Sequence, residues 1–171
     1  MVNPVAVVVV LVLLVAALVG MLVAWRRRGT AQRGLVLPPV PAETGAERLT
    51  ATGLHVATTF ADRPLERVVA GGLGFRARAV LTVTDRGVLV DRAGAAPFFL
   101  STTGLTGAGT ATWALDRGVE RDGLTVVAWT LPDADGAAVP VESAFRFDPE
   151  TQAAVLAALS PRLKEAPHAD Q

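Results

Sequence analysis

The sequence predicts a mainly β domain of seven short strands closed by a C-terminal helix, set behind an N-terminal transmembrane helix. Three observations predict it. Residues 5–25, VAVVVVLVLLVAALVGMLVAW, form a run of 21 residues without a charged side chain. From residue 54 to residue 147 short apolar and polar alternations recur between Gly-, Pro- and Asp-rich turns, the period of strands with one buried face. At Asp148 and Pro149 that period gives way to the spacing of an amphipathic helix.

The apolar run comes first. At about 1.5 Å per residue such a helix spans roughly 30 Å, the hydrocarbon thickness of a bilayer. Buried strands rarely exceed about 10 residues. Within hydrocarbon the segment must satisfy its own backbone hydrogen bonds, so it is helical there despite its valines. Residues 1–4 carry no Lys or Arg, whereas Arg26, Arg27 and Arg28 follow the run at once and Arg33 lies beyond. Basic flanks stay in the cytoplasm, so the N-terminus is expected outside and the body inside, on a single-pass protein of the cell membrane. A cleaved signal carries its basic residues before the apolar core and a small-residue site after it, so this helix is expected to be retained. Trp25 suits the headgroup interface. The three arginines read as topology determinants, with recruitment of anionic lipid as the sharper alternative, at about 1 kcal/mol each near a surface. The expected division is an anchor with its basic flank at 1–28, a linker at 29–47, a folded domain at 48–163 and a flexible tail at 164–171.

Composition narrows the function classes. The chain of 171 residues leaves enough after the anchor for one domain with a real core. It has no cysteine, which removes disulfides, thiol catalysis and Cys-ligated metals. Its formal charge is zero, but residues 46–166 hold 12 bases against 14 acids, with Lys164 the one lysine. Nucleic-acid binding needs many phosphates neutralised, and a domain of net charge −2 argues against it.

Residues 29–47, GTAQRGLVLPPVPAETGAE, lack periodicity, and Pro38, Pro39 and Pro41 favour an extended polyproline form that holds the domain off the bilayer. Pro38 and Pro41 also have Pro-x-x-Pro spacing, a rarer partner signal than a spacer. Leu54, Val56, Thr58 and Phe60 alternate with His55, Ala57 and Thr59 as the first strand. Residues 62–69, with Asp62 as cap and Pro64 in the first turn, are expected to form a short helical turn ended by Gly71, Gly72 and Gly74. Phe75, Ala77, Ala79, Leu81 and Val83 then face one way, and Arg76, Arg78, Thr82 and Thr84 the other. After the turn at 85–87, residues 88–91 return as a hairpin partner. Further strands are expected at 97–100, at 105–113 with bending glycines Gly107 and Gly109, at 124–131, and at 139–147. Asp148 is a good N-cap and Pro149 suits the first helical position; Gln152, Val155, Leu156 and Leu159 share one face, and Pro161 limits the helix.

Seven strands and a closing helix are the order of a PH-like barrel, a bent sheet with one end plugged by the helix. The chain also resembles the single-pass actinobacterial membrane proteins with a PH-like domain, often encoded beside pyrimidine-biosynthesis genes. The resemblance rests on GLHVATT at 53–59, GGLGFRARA at 71–79, VTDRGVLVDR at 83–92 and GTATW at 109–113. It implies a fold and a membrane location. Some members carry a loose transporter or export label, and none of these motifs is catalytic, so no functional residue carries over.

The search for chemistry finds little. His55 lies in a strand and His168 in the tail, with no H-E-x-x-H or similar spacing, so no metal site and no cofactor are expected. Ser101, Ser143 and Ser160 lack a nucleophile elbow. The glycines of 70–74 lead into a strand, and those of 104–109 have no Walker lysine; both read as turns and bends. No catalytic residue is assigned, and the chain is not expected to be an enzyme. The most suggestive pair is Arg76 and Arg78, two residues apart on one strand face. Phosphoinositide-binding PH domains use a basic-x-Arg pair near this place, preceded by a lysine in the first strand that is absent here. Two readings stay open: a solvated face paired with acids such as Asp91, or a site for an anionic headgroup or peptide. The function expected is a membrane-anchored, noncatalytic binding or scaffolding module with a protein or peptide partner. The alternative is an accessory subunit of a transport or export complex.

Overall fold

A computed structural model describes residues 4–32, 34–111, 113–114, 117–118 and 123–163. The chain divides into two units, residues 1–34 and residues 35–171. The first is a single helix, α1 (Pro4–Ala31), of 28 residues. Val7 and residues 9–22 are exposed all around it. Side chains are described for that part of α1 alone, and among the described residues no helix is long and apolar enough to cross a membrane. The side chains of Trp25, Arg26, Arg27 and Arg28, and all of Arg33, lie outside the described residues, as does the tail from residue 164.

The second unit is built on β1 (Glu47–Phe60), 14 residues long and the centre of an antiparallel sheet. From there the chain runs through β2 (Arg63–Arg67), β3 (Ala77–Thr84), β4 (Gly87–Arg92), β5 (Phe98–Ser101), β6 (Leu105–Ala111), β7 (Trp113–Ala114), β8 (Arg117–Gly118), β9 (Leu124–Pro132) and β10 (Ala138–Arg146), ending in α2 (Pro149–Leu159). The sheet order is β5-β4-β3-β1-β10-β9-β6, with β2 added to β1, while β7 and β8 pair by themselves. β3, β4 and β5 follow one another as meander steps, as do β9 and β10, whereas the connection from β5 to β6 passes between the two ends of the sheet order, and the last strand pairs with the first. β1 serves both halves of the sheet. Its first part pairs with β3 from Glu47↔Thr84 to His55↔Ala77, and its second with β10 from Leu54↔Arg146 to Phe60↔Val141, with a bulge between His55 and Ala57. A bulge bends its strand and sharpens the local twist.

β1 begins seven residues before the strand expected from alternation and runs through Gly53. In the sheet it is a point of close approach: a Cβ there would sit 2.4 Å from the Phe147 ring and 2.6 Å from the Arg146 carbonyl oxygen. The helical turn expected at 62–69 is instead strand β2. The second part of β1 has left β3 behind, and its open edge takes a new partner at Thr59↔Arg67 and Phe60↔Arg63. Hydrogen bonds from the Val68 amide to the Thr58 carbonyl (2.9 Å) and from the Thr58 amide to the Leu73 carbonyl (2.8 Å) extend that cover. An unsatisfied strand edge outweighs the local preference of Asp62 and Pro64. The helical piece falls later, in a short 3-10 turn at Ala70–Gly72. Phe75, expected to face inward in the next strand, precedes β3 and is 69% exposed.

Ala79, Leu81, Val83, Val88, Val90, Phe98, Leu100, Trp129, Leu131 and Phe145 fill the interior. Val155 and Leu159 of α2 are fully buried against it, the face expected from their spacing. Asp148 caps α2, accepting from the Thr151 amide at 2.9 Å and the Thr151 hydroxyl at 2.6 Å.

The stretch expected as a linker divides in two. Leu35 and Leu37 pack against the core. The Val36 amide donates to the Pro132 carbonyl (3.1 Å), the Phe99 amide of edge strand β5 donates to the Pro38 carbonyl (3.2 Å), and Thr84 Oγ1 donates to the Thr44 carbonyl (2.6 Å). Residues 35–46 are a strap laid on the barrel, and residues 32–34 join it to α1.

Candidate binding surface

The strap creates one concavity. A groove of about 360 Å³ lies between Pro38, Pro39 and Pro41 on one side and Phe99, Leu100 and Trp129 on the other. Arg86 and Glu43 stand at it, 3.6 Å apart, and Arg86 Nη1 donates to the Glu43 carbonyl at 3.3 Å. Arg86 and Glu43 thus answer each other's charge, and Ser101 and Thr130 add hydroxyls to an otherwise mainly apolar lining.

The second feature is the connection from β1 to β3. It carries three exposed apolar side chains, Leu65 (79% exposed), Val69 (51%) and Phe75. Its backbone is held from within by cationic and polar side chains. Arg92, 2% exposed, donates from Nη1 to the Gly72 carbonyl (3.0 Å) and from Nη2 to the Gly71 carbonyl (2.6 Å). Arg67 Nη1 donates to the Gly74 carbonyl at 3.2 Å, and His55 Nδ1 lies 3.2 Å from the Phe75 carbonyl. Gly71 and Gly72 have φ of 55° and 73°, the left-handed region that glycine enters without a Cβ penalty. Burial pushes the Arg92 pKa down from its ordinary value, and Arg92 Nε has no hydrogen-bond partner.

His55 is fully buried at the head of a hydrogen-bonded chain. Trp129 Nε1 donates to Ser143 Oγ (2.9 Å), Ser143 Oγ and Thr58 Oγ1 lie 2.7 Å apart, and Thr58 Oγ1 lies 3.1 Å from His55 Nε2. The Phe75 carbonyl can only accept, so Nδ1 carries the proton. Burial keeps the imidazole neutral, so Nε2 accepts from Thr58, Thr58 accepts from Ser143, and Ser143 accepts from the indole. The His55 pKa is lowered to about 4, first by burial and then by the Arg92 charge, against the Phe75 carbonyl, which raises it. Every polar atom of this chain is consumed internally, so it presents no base or nucleophile to a substrate. Among the described residues no three His, Asp or Glu side chains converge as metal ligands.

Arg76 and Arg78 are both exposed, beside Phe75. The expected pairing of this face with Asp91 is not found: Asp91 stands opposite Val80, and neither arginine makes an ion pair or side-chain hydrogen bond among the described residues. Arg78 instead shares a row with Leu54 and Arg146 on the neighbouring strands, and Arg146 is exposed too. Sequence reasoning missed the burial of Arg92 and the exposure of Leu65, Val69 and Phe75. One signal was present: Arg92 follows Val88 and Val90 at the inward spacing of β4.

The sheet order, the return of β10 to β1 and the terminal helix are those expected for a PH-like fold. The profile described as "Bacterial PH domain-like" matches residues 35–160. The chain belongs to that family. Comparison with curated proteins and with solved structures finds no match. The family match begins at Leu35, where the strap begins, so the strap belongs to the bacterial PH-like domain.

Proposed function

We propose that this bacterial PH-like protein is a noncatalytic binding or scaffolding module anchored in the cell membrane by α1, with its barrel on the cytoplasmic side. The observation that carries the reading is the join between an uncharged 21-residue apolar run, followed by Arg26, Arg27 and Arg28, and a PH-like domain that starts at Leu35. A helix apolar on all sides is stable in a membrane or in the core of a large protein, and the basic flank orients it. Binding rather than catalysis is supported by the internal use of His55 and Ser143 and by an outer surface of apolar side chains and arginines.

Because the chain has no cysteine, single cysteines report topology cleanly. Asn3→Cys is expected to react with an impermeant maleimide on intact cells, and Asp135→Cys only after lysis, both in protein that resists alkaline carbonate extraction. Reaction of Asp135→Cys from outside would reverse the orientation, and carbonate release would remove the anchor. Proximity labelling from the C-terminus, compared with a chain cut after Arg33, tests the scaffold: partners lost with the barrel support it, and identical profiles count against it.

A further inference from the structure

We propose that the outer edge of β5 is a slot for one short, uncharged, extended peptide segment, with the Phe99 carbonyl and the Ser101 amide as its hydrogen-bonding groups. The proposal rests on the reading of the domain as a binding module and names a ligand class at one place on it.

The register of β5 fixes which groups face outward. The Thr102 amide donates toward β4, to the Arg86 carbonyl at 3.0 Å, whereas the Phe99 amide donates away from it, to the Pro38 carbonyl at 3.2 Å. Backbone groups alternate between the two edges of a strand, so those of Phe99 and Ser101 both point away from β4. The strap takes the Phe99 amide, and the Gly104 amide donates to the Ser101 carbonyl at 2.9 Å. Among the described residues nothing pairs with the Phe99 carbonyl or the Ser101 amide.

The strap explains why the ladder stops. It runs beside β5 in the same direction, from Pro38 at Phe99 to Glu43 at Arg86, which faces Thr102. In a parallel ladder a single residue would donate to the Phe99 carbonyl and accept from the Ser101 amide, and Val40 is the strap residue in that register. Among the described residues Val40 makes neither bond. Pro39 and Pro41 flank it, and the polyproline form they favour has three residues per turn, out of step with the two-residue period of a strand. The groove of about 360 Å³ lies where the ladder breaks, between those prolines and Phe99, Leu100 and Ser101.

Complementarity defines the occupant. An acceptor and a donor on alternate residues of one strand edge match the main chain of an extended peptide, which donates and accepts toward the same side. The charged groups at the groove, Arg86 and Glu43, lie 3.6 Å apart and cancel, so an uncharged segment fits and an anion or cation gains nothing. The volume lies at the low end of ligand sites, roughly 300–1,000 Å³, which suits a few residues.

The test uses the full chain in detergent, with Thr103→Cys beside the slot and Asp135→Cys as a distant reference. Both positions are exposed, and the chain has no other cysteine. Each variant is equilibrated, in a fixed excess of thiol, with the disulfide of acetyl-Thr-Val-Thr capped by cysteamine, or with the same peptide N-methylated at its valine. Methylation keeps the apolar surface and removes the N–H that reaches the Phe99 carbonyl. Capture, read by intact mass, should favour the unmethylated peptide by about three- to tenfold at residue 103 and show no preference at residue 135. Ser101→Pro removes the opposing donor on an edge where proline is tolerated, and added to Thr103→Cys it should lower capture of the unmethylated peptide by a similar factor. Equal capture of the two peptides at residue 103 overturns the slot, however Ser101→Pro behaves, and so does an equal preference at residue 135. In cells, partners that vanish when the barrel is deleted yet persist with Ser101→Pro overturn the slot and leave the scaffold reading standing. Selective capture at residue 103, with identical labelling profiles for the intact and the cut chain, supports the slot and removes the scaffold.

Discussion

His55 shows how one buried side chain can govern acid stability. The folded chain holds the imidazole neutral with a pKa of about 4, whereas the unfolded chain titrates near the ordinary value of 6.5. Above pH 6.5 both states are neutral and the full stability is present. Between 6.5 and 4 the unfolded state binds a proton that the folded state refuses, so stability falls as pH falls, by about 3 kcal/mol in all. Denaturant unfolding at pH 7 and pH 4.5 should show this loss in the natural chain and a smaller one in His55→Gln; equal losses would remove His55 as the cause. The glycines give a second prediction at this scale. Gly53→Ala drives a methyl into the Phe147 ring and the Arg146 carbonyl and should cost about 1–3 kcal/mol. Gly107→Ala meets only the Ala128 Cβ at an ordinary 3.5 Å and should change stability little. Thermal melts of the two variants side by side decide it.

At the scale of elements, local rules succeed where the element answers to its own ends. α2 starts at Asp148 because its carboxylate accepts from Thr151, and those hydrogen bonds hold the carboxyl below its usual range. Asp148→Ala should cost about 1 kcal/mol, read as a lower midpoint in urea, with Asp148→Asn recovering most of it. β2 is the contrasting case. Its sequence, with Asp62 and Pro64 in place, satisfies the local rules for a helix start, yet the open edge of β1 after the bulge recruits it as a strand. The strap is another such case: three prolines and a glycine in a stretch without periodicity look like a spacer, but the amide of Phe99 and the apolar face near Gly71 hold it down. The Phe99 amide should therefore exchange slowly with deuterium although β5 is an edge strand, and Leu37→Ala should speed it.

For the whole molecule, the strap predicts where the domain begins. A chain starting at Leu35 should unfold cooperatively, whereas one starting at residue 48 loses Leu35, Leu37 and the cover of the β5 edge and should melt several degrees lower, a shift of about 4 °C for each kcal/mol lost. Equal melting points would return residues 35–47 to the role of spacer. Much of the architecture was legible in the sequence by itself. The alternation that buries Ala79, Leu81 and Val83 and the capped helix that buries Val155 and Leu159 are both periodic signals, and a period records which face of an element meets the core. What the tertiary structure alone decided has no period. The length of β1, the conversion of 63–67 into a strand, the outward turn of Phe75, the burial of Arg92 against two glycine carbonyls and the docking of the strap each depend on a partner distant in sequence. Residues that complete a remote strand edge or a remote turn carry no local sign of it, because the hydrogen bonds that decide their conformation exist only once the sheet has closed.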